Sequence, residues 1–452
     1  MELTLNELVK FSKGEIISKT KEANFNILST DTRKIQKDNI FLGLKGENFN
    51  GNKYAKEALD KGASIAIVDE ILFDIDDTLD KVIIKVKDTK KALLDIAHGY
   101  REKLNIKVIG ITGSTGKTST KDVTSAFLSG KYKVYKTKGN FNNEIGLPLT
   151  ILSLDSSIDV AVLEMGMSDF NEIHNLAKCA RPDIALITNI GVSHIENLKT
   201  RDNILKAKME IVDFFSKDNT LILNAEDDLL KTVSSDEYKI VKTGYNQSYE
   251  FSAKDIEVTL NETSFTLLSK DGERRITLPM VGEHNVLNAL LGIAAASKLN
   301  VSLDEMIEGL KGIEATSMRL EFINTGEISI INDCYNASPD SMKSSLKVLE
   351  TRPGRKVAIL GTMRELGLES ERSHREVGKF SKDIVDSLIV CGEYKDAFKE
   401  GFEKEGIKLY NTKGELLKEL DSLIEKGDVV LVKASRGEKF EEIVEKLKEI
   451  KL

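Results

Sequence analysis

KVIGITGSTGKTST, residues Lys107–Thr120, is the stretch on which the fold reading turns. The apolar run Val108–Ile111 reads as a buried strand, a glycine loop follows, and a helical pattern continues to about Gly130. Strand, Gly-x-x-Gly-Lys-Thr, helix is the build of a phosphate-binding loop. Glycine lets backbone N–H groups approach phosphate oxygens with no Cβ in the way, and the helix N-terminus adds partial positive charge. Lys117 would reach the outer phosphates and Thr118 would hold Mg²⁺. The chain therefore reads as one that binds and spends a nucleoside triphosphate. The usual form begins with Gly, yet Ile111 holds that position here.

Working outward, 452 residues exceed one ordinary core and predict two or three domains. Hydrophobic residues at 40% and charged ones at 31% fit a globular chain, and a net charge of −8 offers no basic excess for nucleic acid. Anionic substrates must then be held by local Lys, Arg and N–H groups. Cys179, Cys334 and Cys391 are far apart with no metal spacing, so they are expected to be buried free thiols in a reducing compartment. The opening MELTLNELVK has no apolar signal region, and no run approaches a membrane span. A cytoplasmic location is expected.

Three α/β modules are expected along the chain. Residues 1–88 form a small one, with strand candidates Ile40–Leu44, Ser64–Val68 and Val82–Val86 and a helical pattern at Lys53–Lys61. Residues 89–311 open with the helical stretch Lys90–Leu104, then alternate strands with helices: the phosphate-loop strand, Asp159–Leu163, Ile184–Thr188 and Thr220–Leu223. Such alternation predicts a doubly wound, mostly parallel sheet. Tyr238–Pro279 reads as antiparallel hairpins with a turn at Asp271–Gly272, and the small-residue helix Asn285–Leu299 closes the module. Residues 312–452 read as a Rossmann-like α/β unit with strand candidates Ile328–Asn332, Lys356–Leu360, Ser387–Cys391 and Val429–Val432.

Ligands in open parallel sheets bind beyond the carboxyl ends of the strands. Polar residues gather there in the middle module: the phosphate loop, Glu164 in VLEMGMSD, Asn189 and His194 in TNIGVSHIEN, and Asn224 in NAEDD. Glu164 could stabilise a helix start as a plain acid; beside a phosphate loop, the Mg²⁺ role leads. His194 could be a solvated loop histidine or a metal ligand, and spacing does not choose. His98 and His174 lie in helical patterns and read as structural. Lys208, in LKAKMEIVDFF, reads from pattern alone as a solvated surface lysine. In GEHNVLNALLGIAAA, His284, Asn285 and Asn288 share one face at a helix start; capping explains the first two but not Asn288, inside the helix. In the third module, Asp333-Cys-Tyr-Asn-Ala-Ser-Pro and Ser435-Arg436 also follow strands, although the proline could simply start a helix. These groups predict a second surface that closes on the first.

Together these residues resemble the Mur ligase family over essentially the whole chain, and most closely its branch that joins D-alanyl-D-alanine to a UDP-N-acetylmuramoyl-tripeptide. Thr112–Thr118 match the family loop T-G-[ST]-x-G-K-[ST], which also lacks the first glycine. GNFNNEIGLPLT, EMG, TNIGVSH, AKMEI and GEHNVLNAL match further family segments. DCYNASPDSM, GTMRELG and GDVVLVKASRG resemble the branch's segments, with Ser338 for the usual Asn, Thr362 for Asp and Ala434 for Gly. STDTRKIQKDNIFLGLKGENFNGNKYA resembles the branch's uridine-binding module, with Asn52 where His is common.

The resemblance implies an acyl-phosphate mechanism that spends ATP with two Mg²⁺ ions. Gly113, Ser114, Thr115, Gly116, Lys117, Thr118 and Ser119 would cradle the phosphates; Asn189, His284, Asn285, Asn288, Arg319 and Asp333 would complete the ATP site. Thr118 and Glu164 would hold one ion; His194 and Lys208, the latter carbamylated and so not a surface lysine, would hold the other. Ser29, Asp31 and Arg33 match the uridine diphosphate module, while Asn140, Asn142 and Asn143 lie in a segment that lines nucleotide and muramoyl substrate. Tyr335, Asn336 and Ser338 are assigned to the D-Ala-D-Ala side. The partners implied are these small molecules, taken up by a monomer. Rival readings are another amide ligase of the superfamily, such as folylpolyglutamate synthase, and a non-catalytic ATP-binding protein.

Overall fold

Three β-sheets follow one another along the chain in the computed structural model, which describes residues 1–78, 80–313 and 316–452. The first has five strands in the order Glu15–Ile16, Val82–Lys85, Ile65–Val68, Ile40–Leu42, Leu28–Ser29; the outermost Glu15–Ile16 is antiparallel and the rest are parallel. Its inner strands are covered on both faces, which is why they read as unbroken apolar runs. The helical pattern at Lys53–Lys61 becomes a 3₁₀ turn, Gly51–Tyr54, leading into the helix Ala55–Asp60.

The central sheet has nine strands. Val134–Lys136 and Val160–Glu164 lie on one side of the phosphate-loop strand Lys107–Thr112, and Ile184–Ile187, Thr220–Asn224 and Lys239–Gly244 on the other. Phe251–Val258, Thr263–Ser269 and Gly272–Leu278 extend the far edge. One expectation fails here. Lys239–Gly244 belongs to no antiparallel hairpin, because it pairs parallel with both Thr220–Asn224 and Phe251–Val258. Only the last three strands form the antiparallel extension, closed by a two-residue loop before Gly272, whose φ of 102° suits glycine. The phosphate-loop helix Lys117–Ser129 packs against the helix His284–Lys298. Small residues make that approach possible: a Cβ on Gly292 would stand 2.8 Å from Thr124 Oγ1.

The third sheet runs Glu321–Asn324, Ser329–Asn332, Val429–Lys433, Lys356–Gly361, Ser387–Cys391, Ile407–Tyr410, parallel apart from its first strand. The expected three-part α/β architecture is therefore present.

The core is not divided in three. One apolar cluster runs unbroken from Leu8, Ile40, Ile67 and Ile96 into Leu147, Ile151 and Leu163, joining the first sheet to one face of the second. The C-terminal sheet has clusters on both of its faces, centred on residues such as Leu360 and Leu431 on one and Ile359 and Val432 on the other. All three cysteines are buried free thiols. Among the described residues no helix is long and apolar enough to cross a membrane.

Candidate active site

The strands that end in Asn224, Ile187, Thr112 and Glu164 are consecutive neighbours in the central sheet. Their polar followers therefore converge on one edge, and a cavity of about 600 Å³ opens there against the C-terminal unit. Ser114–Ser119, Asn189, His284, Asn285 and Asn288 line it from the central side; Arg319, Asp333, Asn336, Ser338 and Lys433 line it from the other.

The phosphate loop is held from outside itself. Gly113 has φ 151°, and a Cβ there would lie 1.8 Å from Thr188 Oγ1; Gly116 has φ 79°, with Asn288 Oδ1 2.9 Å from where a Cβ would be. Asn189 Oδ1 accepts from the Thr115 N–H (2.9 Å) and its amide donates to Thr115 Oγ1 (2.6 Å). Asn288 Oδ1 accepts from Thr120 Oγ1 (3.1 Å), and its amide donates to Asn285 Oδ1 (3.2 Å). Asn288 inside its helix is thus a buttress for the loop, a task helix capping could not explain. Lys117 Nζ is folded back onto the Gly113 carbonyl at 2.7 Å. Burial lowers its pKa, with Arg319 adding to the effect and Glu164 and Glu365 opposing it. Two cations from different units, Lys117 and Arg319, thus face one cavity, an arrangement that suits a polyanion.

Thr118 donates to Glu164 Oε2 at 3.0 Å, and Asn142 donates to Glu164 Oε1 at 3.2 Å. Glu164 is the last residue of its strand and is buried, not a helix-start acid. Hydroxyl plus carboxylate is a hard-oxygen pair fit for Mg²⁺. Among the described residues no three His, Cys, Asp or Glu side chains cluster as a ready-made metal site.

Lys208 is 2% exposed, and no hydrogen bond or ion pair engages its Nζ among the described residues. The surface reading is overturned: its helix, Arg201–Met209, turns this lysine inward. Burial, reinforced by the Lys117 charge, drives its pKa well below the ordinary value, so a neutral amine is favoured. His194, left-handed at φ 64°, points Nδ1 at Glu365 Oε2 of the C-terminal unit, 2.7 Å away, without the alignment of a hydrogen bond. His284 is held down to about 4 by burial, with Lys433 adding to the effect and Asp333 opposing it.

On the C-terminal side, Asp333 forms a buried ion pair with Lys433 and accepts from the Leu320 N–H at 3.1 Å. The Arg319 guanidinium lies over the Tyr335 ring at 4.1 Å. Asn336 is exposed and gives its carbonyl to Lys433 Nζ at 3.0 Å. Ser338 caps the helix Pro339–Glu350 in a reciprocal box with Ser341, so the proline does start a helix as the simpler reading had it. Thr362 and Ala434 are buried, and Ala434 packs on Gly361. Of the three departures in the C-terminal unit, two thus sit in packing and the third in a helix cap.

Other predicted residues lie apart from the cavity. Ser29, Asp31 and Arg33 form a local knot in the first sheet: Arg33 pairs with Asp31 at 2.9 Å, and the Asp31 carboxyl is lowered to about 2, chiefly by that side chain. Asn52 is fully buried and bridges Asn50 to Asp69, a structural post. Asn143 Oδ1 accepts from the Gly146 N–H at 2.8 Å, and Asn140 is exposed. Sequence reasoning passed over Glu365 and Lys433, although both stand inside quoted motifs, GTMRELG and GDVVLVKASRG.

Residues 24–101 match the Mur ligase family catalytic domain, 111–296 the Mur ligase middle domain and 318–436 the Mur ligase glutamate ligase domain. The UDP-N-acetylmuramoyl-tripeptide–D-alanyl-D-alanine ligase of Bacillus subtilis is 39% identical over 98% of each chain. A crystal structure of MurF from Acinetobacter baumannii superposes with a TM-score of 0.91 at 30% identity, covering 99% of this chain and 98% of that one. MurF from Thermotoga maritima, in complex with ADP, superposes at 0.84 with 28% identity, covering 95% and 99%.

Proposed function

The chain belongs to the Mur ligase family, and we infer that it joins D-alanyl-D-alanine to UDP-N-acetylmuramoyl-tripeptide with cleavage of ATP, making the pentapeptide precursor of peptidoglycan. Full-length similarity to ligases of that one name carries the conclusion. The geometry agrees with the chemistry such a ligase needs: one cavity, walled by two units, with converging cations and a hydroxyl–carboxylate pair.

The terminal carboxylate of the tripeptide attacks the γ-phosphate, giving an acyl phosphate and ADP. The D-Ala-D-Ala amine then attacks that carbonyl, and the tetrahedral intermediate expels phosphate. Phosphoryl transfer of this kind is mostly positioning and charge neutralisation. Lys117 leaves the Gly113 carbonyl for the outer phosphates, and Arg319 adds its charge from the facing wall. Thr118 and Glu164 would hold a Mg²⁺ ion, which when bound offsets developing phosphate charge. The unengaged Lys208 amine, whose charged form burial disfavours, fits a second role: it can add CO₂ and lose a proton, becoming a carbamate. A carbamate there would be attracted by Lys117, where an ammonium would be repelled, and with His194 it would hold a second ion. Asn189 and Asn288 hold the loop in shape, and the C-terminal wall excludes the water that would hydrolyse the acyl phosphate. Tyr335, Asn336 and Ser338 would face the dipeptide, and Ser29, Asp31 and Arg33 the uridine diphosphate.

Phosphate release from ATP with UDP-N-acetylmuramoyl-tripeptide, comparing D-Ala-D-Ala with D-Glu, L-Ala and L-Glu, tests the reading. Turnover only with the dipeptide is expected; turnover with a single amino acid would move the chain to another branch.

A further inference from the structure

Arg319 stands between two residues of left-handed backbone, Met318 at φ 59° and Leu320 at φ 49°. Neither is glycine, and L side chains disfavour this region. Each bend is held at its amide by a carboxylate. The Met318 N–H donates to Glu321 Oε2 at 3.1 Å, and the Leu320 N–H donates to Asp333 Oδ1 at 3.1 Å. The same Glu321 oxygen accepts from Asn332 Nδ2 at 2.8 Å, from the residue directly opposite across the antiparallel pair. The Met318 carbonyl accepts from the Tyr335 N–H at 3.2 Å, which brings the Tyr335 ring under the guanidinium. Arg319 Nε is buried and has no partner among the described residues, so the guanidinium is aimed by the backbone and the ring rather than by an acid of its own.

We propose that Glu321 is a positioning residue for nucleotide binding: by holding the Met318 amide it keeps the double left-handed bend that turns Arg319 into the cavity facing Lys117. The proposal rests on the reading of Arg319 as a nucleotide-binding side chain. Without the carboxylate, the bend has an unfavourable conformation and one tie fewer, so Arg319 spends less time in the cavity. A ligand that needs a fractionally populated state binds more weakly by that fraction. The signature is therefore in apparent ATP affinity and not in the chemical step.

Steady-state kinetics of the full-length enzyme, with ATP varied and both other substrates saturating, provides the test. Arg319→Ala is expected to raise the KM for ATP; an unchanged KM there would remove the reading of Arg319 and the proposal with it. Given that first effect, Glu321→Ala and Glu321→Asp (the latter keeping the charge but one methylene short) are expected to raise the KM for ATP about tenfold, the scale of one lost charge-assisted hydrogen bond, with kcat little changed. Glu321→Gln keeps an oxygen for both N–H donors and is expected to keep the parental KM. Adding Met318→Gly to Glu321→Ala removes the Cβ penalty of the bend and is expected to bring the KM back down. Parental ATP KM in both Glu321→Ala and Glu321→Asp would overturn the proposal, as would a loss that Met318→Gly does not relieve and Glu321→Gln shares.

Discussion

His194 of the central unit and Glu365 of the C-terminal unit meet with Nδ1 and Oε2 2.7 Å apart. The Glu196 N–H donates to the Glu365 carbonyl (3.3 Å), and Gly367 packs on Glu196, so the two loops are in contact along their length. A metal-binding histidine is commonly oriented by a carboxylate on its other nitrogen. If His194 holds a metal, that carboxylate comes from the unit across the cleft, and its orientation would depend on the two units being together. Glu365→Ala is expected to lower kcat/KM by about 10- to 100-fold, read in the phosphate-release assay. Activity at the parental level would make the contact incidental.

Lys117→Ala should remove ATP turnover. Loss of one preorganised charge-stabilising group slows catalysis by about 100- to 1,000-fold, and Lys117 is the one lysine or arginine among the described residues that line the central side of the cavity. Phosphate release that persists at a tenth of the parental rate would contradict its placement at the outer phosphates.

Lys208→Ala should be inactive and partly restored by short carboxylic acids, which can stand where the carbamate would. Its burial and lowered pKa make the free amine the reactive form toward CO₂. A mass shift of one CO₂ on the tryptic peptide is too labile to rely on, so rescue by formate or acetate is the measurement. Failure of every acid tested would argue against the carbamate.

Lys433→Met should destabilise the fold. The Lys433–Asp333 pair is buried, with side chains 3% and 11% exposed. Removing one partner leaves a carboxylate uncompensated, a loss of about 3–5 kcal/mol, visible as a lowered denaturant midpoint. A midpoint unchanged from the parent would mean that Asp333 finds another cation.

Acid should weaken the enzyme through His374. This residue is fully buried; its Nε2 accepts from the Met363 N–H at 2.9 Å, and burial holds it at about 4 against the ordinary 6.5. The unfolded chain takes up a proton below pH 6.5 while the folded one does not until about pH 4. The contribution is therefore intact above pH 6.5, declines between these values and reaches about 3 kcal/mol lost at the acid end. His374→Gln, which retains an acceptor for Met363, should flatten part of that decline in melting temperature. His284, shifted the same way, accounts for part of the remainder.

The strands with unbroken apolar runs were legible because a parallel strand buried on both faces needs no alternation, as in Ile65–Val68 or Val429–Lys433. Glu15–Ile16 and Leu28–Ser29 escaped notice since a two-residue pairing carries no period. The direction of Lys239–Gly244 was unreadable because a partly polar strand looks the same in either sense. Of the site, the phosphate loop, Glu164 and Asn189 could be read from local order along the chain. Inward rotation of Lys208 could not, because the polar stretch around it has no clear apolar stripe. Nor could the Glu365 contact, which joins positions far apart in sequence through packing alone.

The apolar cluster shared by the first two sheets has a mechanical consequence. The first unit and the phosphate loop sit on one frame, while the C-terminal sheet keeps one cluster to itself and shares the other only with a few central residues such as Val281, Val192 and Ile195. Heating should release the jaw before the frame, giving two calorimetric steps. A nucleotide gripped by Lys117 on one side and Arg319 on the other would act as a rivet and pull those steps together.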